Sequence, residues 1–205
     1  MALLEVSNLS ITLQTHRGRA LAVRDVSFTL ERGATLGLIG ESGCGKSLTA
    51  LALMGLLPGH AQIDGSIQLD GKELLDLNER LLCALRGNRM AMVFQEPMSA
   101  LNPVHSIGRQ VAEPLRLHQG LSRAQARARA TELLERVGIA QASQRLDEYP
   151  HQFSGGQRQR IMIAMALACG PDLLVADEPT TALDVTVQQR ILDLLQELVA
   201  EHSMA

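Results

Sequence analysis

Between an apolar run, Thr35–Ile39, and an apolar segment, Ser47–Leu57, stand Gly40, Glu41, Ser42, Gly43, Cys44, Gly45, Lys46 and Ser47. This fits G-x-x-x-x-G-K-[ST] and constrains the fold more than any other stretch, because it needs a strand before it and a helix after it. Gly43 and Gly45 reach backbone conformations closed to bulkier residues, so consecutive N–H groups can point inward at an anion. Lys46 then meets the outer oxygens of that anion, and Ser47 offers a hydroxyl to a cation beside it. Cys44 fills a free position of the pattern as a spectator. The reading predicts a short buried strand over Thr35–Ile39 and a helix over Ser47–Leu57, closed by Pro58-Gly59.

Three further segments extend this chemistry. Leu173–Ala176 is an apolar run ending in Asp177 and Glu178, as expected of a buried strand that delivers carboxylates to a site. Met90–Phe94 is another compact apolar strand, ending at Gln95. Ser154, Gly155, Gly156 and Gln157 precede a helix predicted over Gly156–Cys169, whose N–H groups and positive end can receive an anion.

The remaining pattern is α/β. Leu3–Leu9 and Ala22–Leu30 read as alternating strands around a turn at His16–Arg19, and Ser66–Leu69 with Asp70-Gly71 as a hairpin strand and its turn. From Pro97 to about Ala168 the pattern is helical, with a capping box at Ser122–Gln125 opening an Arg/Ala-rich helix to Val137. Val185–Ala200 is amphipathic, with Ile191, Leu194, Leu195, Leu198 and Val199 on one face.

Composition narrows the function classes. The 205 residues are 46% hydrophobic and 20% charged, enough for one domain with a substantial core. With Phe28, Phe94, Tyr149 and Phe153 the only aromatics, that core must be aliphatic. A net charge of −3 gives no electrostatic case for nucleic acid, and Glu132 and Glu135 offset the arginines of the 123–136 helix. Cys44, Cys83 and Cys169 have neither disulfide nor zinc spacing, and the histidines are scattered without metal spacing. Free thiols fit a reducing compartment. The longest apolar stretch, Ile161–Ala176, is broken by Gly170, Pro171 and Asp172, so no bilayer span is expected. The amino terminus lacks the basic start of a secretory signal.

Taken together, Gly40–Ser47, Phe153–Gln157 and Leu173–Glu178 resemble the nucleotide-binding subunits of ATP-binding-cassette (ABC) transporters. Phe94–Pro103, Tyr149–Gly156 and Ile161–Leu167 are similar to the peptide/nickel importer branch. The resemblance implies a P-loop NTPase with a RecA-like, mostly parallel core, an N-terminal antiparallel β subdomain and an inserted helical subdomain. It divides one ATP-binding domain, 1–205, into a core at 1–96 and 168–205 and a helical subdomain at 97–167 carrying the signature.

It also implies roles. Residues 40–47 would hold ATP. Ser47, Gln95 and Asp177 would serve Mg2+, and Glu178 with Gln95 would act on the attacking water. Ser154, Gly155, Gly156 and Gln157, with Asp184 of the D-loop-like Ala182-Leu183-Asp184, would reach nucleotide held by a second ATP-binding subunit. The implied partners are two transmembrane permease subunits, that second subunit and, indirectly, a periplasmic or extracellular substrate-binding protein, with no nucleic acid. The implied place is the cytoplasmic face of the bacterial inner membrane. The segment after Gln95 would receive the permease's coupling helix. A non-transport ABC ATPase of DNA repair or translation is the alternative.

Three departures are visible. Phe153 stands where leucine is usual, and Leu13 stands where the family stacks adenine on an aromatic residue, since Ser10–Ala20 contains none. No histidine occupies the family's switch position, which falls beyond Ala205, and His202 is too close to Glu178 to take that role. The chain is therefore expected to be truncated, and as it stands to bind nucleotide without turning it over.

Overall fold

The computed structural model describes residues 2–16, 18–95, 100–179 and 185–205. The chain forms two compact units, one of residues 1–83 with 203–205 and one of residues 84–202.

The first unit is built on strands β1 (Ala2–Thr15), β2 (Gly18–Glu31), β3 (Ala61–Leu69) and β4 (Lys72–Glu73), in the order β2-β1-β3-β4. The pairings are antiparallel. β1 and β2 run longer than their alternation predicts, because the hairpin ladder continues to Thr15 opposite Gly18. Leu3, Leu4, Val6, Leu9 and Ile11 of β1 are buried. The register shifts after Val6, where Asn8 takes a left-handed φ of 51°. Its side-chain amide donates to the Asp25 carboxylate at 2.8 Å, fixing the irregularity. Gly65 is required opposite it: a Cβ there would stand 2.6 Å from the Ser7 carbonyl oxygen.

The β3–β4 turn is Asp70-Gly71, both with positive φ, as a tight hairpin needs. Glu73 fastens it. One carboxylate oxygen accepts the N–H groups of Ile67 and Leu75, each at 3.0 Å, and the other accepts the Ser66 hydroxyl at 2.5 Å. Burial pushes the Glu73 carboxyl up, but these bonds outweigh it and hold its pKa below the ordinary 4.5.

Helix α1 (Lys46–Leu53) follows the glycine-rich loop and ends before the expected Leu57. Helix α2 (Glu79–Leu85) was not expected from the sequence; the Asn78 side chain accepts the Leu81 N–H at 3.1 Å and opens it.

One expectation fails. Thr35–Ile39 forms no strand, and it is exposed, Ile39 to 99%. An apolar run becomes a strand only where a neighbouring backbone completes its ladder, and among the described residues none pairs with it.

The second unit contains a parallel pair, β5 (Met90–Val93) beside β6 (Leu173–Ala176), with Met90 opposite Leu173 and Val93 opposite Ala176. Its helices are α3 (Ile107–His118), α4 (Arg123–Arg136), α5 (Ala142–Arg145), a 3-10 turn at Pro150–Gln152, α6 (Gly155–Ala166) and α7 (Val185–His202). The expected capping box is present at α4: the Ser122 hydroxyl oxygen accepts the Gln125 N–H, and the Gln125 side chain accepts the Ser122 N–H. Ile107, Val111, Leu115, Leu134, Ile161 and Met162 are buried at the centre of this unit. Phe153 is the one aromatic in the buried core, which is otherwise aliphatic, as composition predicts. Among the described residues no helix is long and apolar enough to cross a membrane.

Candidate functional site

The glycine-rich loop lies in the first unit. Gly43 has φ 82°, and Gly45 caps α1 at φ 100°. Both are left-handed, so the glycines serve the purpose the pattern assigns them. Gly45 is also closely packed: a Cβ there would stand 2.8 Å from Val23 Cγ2 and 2.9 Å from the Ala22 carbonyl oxygen. The turn is closed by the Cys44 N–H donating to the Glu41 carbonyl at 3.3 Å. Cys44 is no mere bystander sterically, since its Sγ occupies the space beside Gly40 that a Cβ would need. Lys46 reaches back over the loop and donates from Nζ to the carbonyls of Gly40 at 2.8 Å and Glu41 at 3.0 Å. The ammonium is thereby held at the mouth of the loop. Ser47 follows Lys46 in the first turn of α1.

The second unit brings Gln95 and Glu178 together. They follow the ends of two adjacent parallel strands, and the Asp177 N–H extends that ladder to the Val93 carbonyl at 3.0 Å. Gln95 Nε2 donates to Glu178 Oε2 at 2.8 Å. Eighty-three residues separate the two, so only the strand register places them side by side. Glu178 has φ 46°, a left-handed conformation that costs a non-glycine residue about 1 kcal/mol or more. Such a residue persists where its surroundings hold it.

Gln159 supplies part of that hold, and sequence reasoning missed it. Its side chain is 2% exposed, and Nε2 donates to the Pro179 carbonyl, one residue past Glu178, at 2.7 Å. The signal was present: Gln159 shares the spacing i, i+3, i+4, i+7 with Met162, Ile163 and Ala166, all buried. A glutamine on an apolar face needs a polar partner.

At the start of α6, Ser154 and Gln157 form a second capping box. The Ser154 hydroxyl oxygen accepts the Gln157 N–H at 3.3 Å, and Gln157 Oε1 accepts the Ser154 N–H at 2.9 Å. Gly155 and Gly156 occupy the first two helical positions, where helix geometry provides no carbonyl partner for their N–H groups. Arg158 braces the approach to this turn, donating to the carbonyls of Pro150 at 2.7 Å and His151 at 3.2 Å. Phe153 has its own reason to be aromatic, for the Arg145 guanidinium lies 4.1 Å from its ring centroid. Asp184 and the rest of Ala182-Leu183-Asp184 lie outside the described residues, as does 96–99 after Gln95. Leu13 is half-buried on β1, opposite Ala20 and Ala61.

Among the described residues no three His, Cys, Asp or Glu side chains group as a metal site. The loop and the Gln95–Glu178 pair belong to different units, and each stands here by its own geometry.

A profile of the ABC transporter family matches residues 23–181. The oligopeptide transport ATP-binding protein OppD of Salmonella typhimurium is 53% identical over 203 residues, covering 99% of this chain and 61% of that protein. The peptidoglycan transport ATP-binding protein YejF of Agrobacterium fabrum is 54% identical over 205 residues, covering 99% of this chain and 38% of that protein. The chain thus spans less than two thirds of the length of either relative. Among solved structures, the ATP-binding cassette MJ0796 in a dimeric post-hydrolysis state bound to ADP and Pi superposes with a TM-score of 0.85 at 29% identity. That match covers 98% of this chain and 84% of the other.

Proposed function

Because the chain belongs to the ABC transporter family, we propose that it is the ATP-binding, ATP-hydrolysing part of a subunit that powers peptide import through a separate membrane permease. The observation that carries this is the Gln95–Glu178 hydrogen bond at 2.8 Å, which holds a carboxylate at the end of the strand pair. Glu178 is the water-polarising group, and Gln95 orients it. The loop 40–47 takes the phosphates of ATP, with Lys46 exchanging its two loop carbonyls for phosphate oxygens. That the related cassette is bound to ADP and Pi supports nucleotide as the ligand.

Ser47, Asp177 and the Gln95 amide carbonyl are the residues for Mg2+. A hydroxyl, a carboxylate and an amide oxygen make a hard, all-oxygen donor set that suits this ion. When bound, it neutralises charge on the phosphate oxygens. Ser154, Gly155, Gly156 and Gln157, together with Asp184, serve nucleotide on a second ATP-binding subunit, so hydrolysis belongs to a head-to-tail dimer. The core at 1–96 and 168–205 then carries the loop and the carboxylates, while 97–167 is the helical subdomain bearing the signature. The permease, a substrate-binding protein outside the membrane and a position on the cytoplasmic face of the inner membrane complete the assignment. Peptides are the substrate class because the two relatives are an oligopeptide and a peptidoglycan transport ATP-binding protein. Those same relatives leave the alternative roles in DNA repair or translation without support.

Glu178→Gln tests the assignment. Introduced into a chain of the relatives' full length, it should lower steady-state Mg-ATP hydrolysis at least a hundredfold, the ordinary scale for losing a general base, while ATP binding stays within about twofold. Undiminished turnover in the variant would remove Glu178 from the reaction. Hydrolysis measured against protein concentration should rise more steeply than linearly if the reactive form is a dimer.

A further inference from the structure

In the second unit, α3 and α4 border an open cleft of about 390 Å³ lined by four arginines. Arg109 and Arg116 stand seven residues apart on α3, two helical turns on one side, and Arg123 and Arg127 stand one turn apart on α4. Gly108 and Ala112 add almost no side-chain volume to the wall. At Gly108 none fits, since a Cβ would meet Leu146 atoms at 2.8 Å. The lining contains one acid, Asp147, so three positive charges remain in the cleft of a chain whose net charge is −3.

Asp147 shows what the cleft does with an oxyanion. Arg127 Nη1 and Nη2 donate to its two carboxylate oxygens, both at 2.8 Å, in a fork-to-fork pair. That hydrogen bonding, with the positive field of Arg127 and Arg123, holds the Asp147 carboxyl below its ordinary range. Among the described residues, Arg109 and Arg116 make no ion pair. Glu113, between them on α3, is exposed and lies outside the lining. One carboxylate balances only one of the four positive charges; the other three repel one another, and an anion from solution relieves that repulsion.

We propose that this cleft is a second anion site, one that binds a small phosphorylated molecule with at least two anionic groups. A planar guanidinium fork donates to two oxygens of a phosphate at once. The volume lies in the range of small-molecule sites, where one phosphate alone would leave most of the space unfilled. A ligand that draws Arg127 from Asp147 would also act on the chain leading to the signature turn. Asp147 precedes Glu148, whose carbonyl accepts the Ile107 N–H at 2.9 Å, and the same stretch carries Arg145, seated on Phe153.

The site stands independently of ATP hydrolysis, and calorimetric titration with inorganic pyrophosphate in EDTA tests it. Lys46→Ala removes the glycine-rich loop as the binder. Binding should persist in Lys46→Ala, weaken at least about tenfold in Lys46→Ala carrying Arg109→Gln and Arg116→Gln, and decline with added salt. Both arginines are exposed, so the substitutions leave the core untouched. Asp147→Asn removes the internal competitor and should tighten binding severalfold, a gain that a merely structural role for Asp147 does not produce. The proposal is overturned if Lys46→Ala abolishes pyrophosphate binding, or if the arginine substitutions leave it unchanged. It is equally overturned if Asp147→Asn weakens it, or if a Glu-rich peptide occupies the cleft where pyrophosphate does not.

Discussion

Gln159→Met isolates the bond between α6 and the chain just past Glu178. Methionine matches glutamine in length and unbranched shape, so the change removes the amide donor and opens little cavity. Two costs follow. The hydrogen bond to the Pro179 carbonyl, 2.7 Å in the structure, contributes about 1 kcal/mol net. Its loss leaves a half-buried acceptor that water reaches only in part, adding a fraction of the roughly 1–3 kcal/mol charged for an unpaired buried group. One gain opposes them: burying a thioether in a site 2% exposed is more favourable than burying an amide. The balance is a loss of about 1–2 kcal/mol. For a chain of this size that lowers Tm by about 2–4 °C per kcal/mol, a shift read directly by circular dichroism at 222 nm.

Gln159→Glu sharpens the test. At pH 7 its carboxylate faces a carbonyl and destabilises more than methionine does. Once protonated, the same side chain donates to Pro179 again. Because the neutral form is the bonded one, its folded pKa lies above the unfolded value of about 4.3. The deficit relative to the parent chain must therefore shrink as pH falls toward and below that value. A Gln159→Met chain as stable as the parent, or a Gln159→Glu deficit unchanged by pH, would refute the role given to this bond.

The other predictions concern nucleotide and acid. Leu13→Tyr should tighten ATP binding about fivefold, the equivalent of about 1 kcal/mol of ring stacking, as measured by equilibrium dialysis; unchanged affinity would place the adenine elsewhere. Glu73→Gln should destabilise the chain at pH 7 in urea titration. Because the folded pKa of Glu73 is depressed, its contribution is present above the ordinary 4.5 and is lost as pH falls through the lower folded value. Parent and variant should therefore converge once the pH lies below that folded value.

What could be read from sequence was whatever depends on neighbours along the chain. The left-handed glycines of the loop, the Ser122–Gln125 capping box and the Asp70-Gly71 turn are local requirements, and each is met. β6 was legible because a four-residue apolar run between Pro171-Asp172 and Asp177 leaves little choice of boundary. The bond from Gln159 to Pro179 depends on where a helix face meets a distant strand end, which no spacing encodes. The Gln95–Glu178 contact is similar: the pattern marked both residues, but only strand register joins them. Thr35–Ile39 failed for the same reason in reverse. Its sequence suits a buried strand, but a strand also needs a partner's backbone, and apolarity does not supply one.

As proposed anion sites, the loop at 40–47 and the turn at 154–157 differ in what an arriving anion must displace. Lys46 already donates to two carbonyls of its own loop, so a phosphate must displace those bonds before it gains the ammonium. Its attraction is discounted by what it breaks, and a singly charged anion gains less than a polyphosphate that meets several N–H groups at once. At 154–157 nothing needs to be displaced. The capping box engages the Ser154 hydroxyl as an acceptor, which leaves its O–H to donate outward beside the N–H groups of Gly155 and Gly156. Gly155 and Gly156 stand at the positive end of the helix, which favours negative charge. Replacing Ser154 by Ala removes the cap and one donor together. Replacing Gln157 by Ala breaks the box but spares the hydroxyl, so the two substitutions separate the stability of α6 from the anion affinity of its first turn.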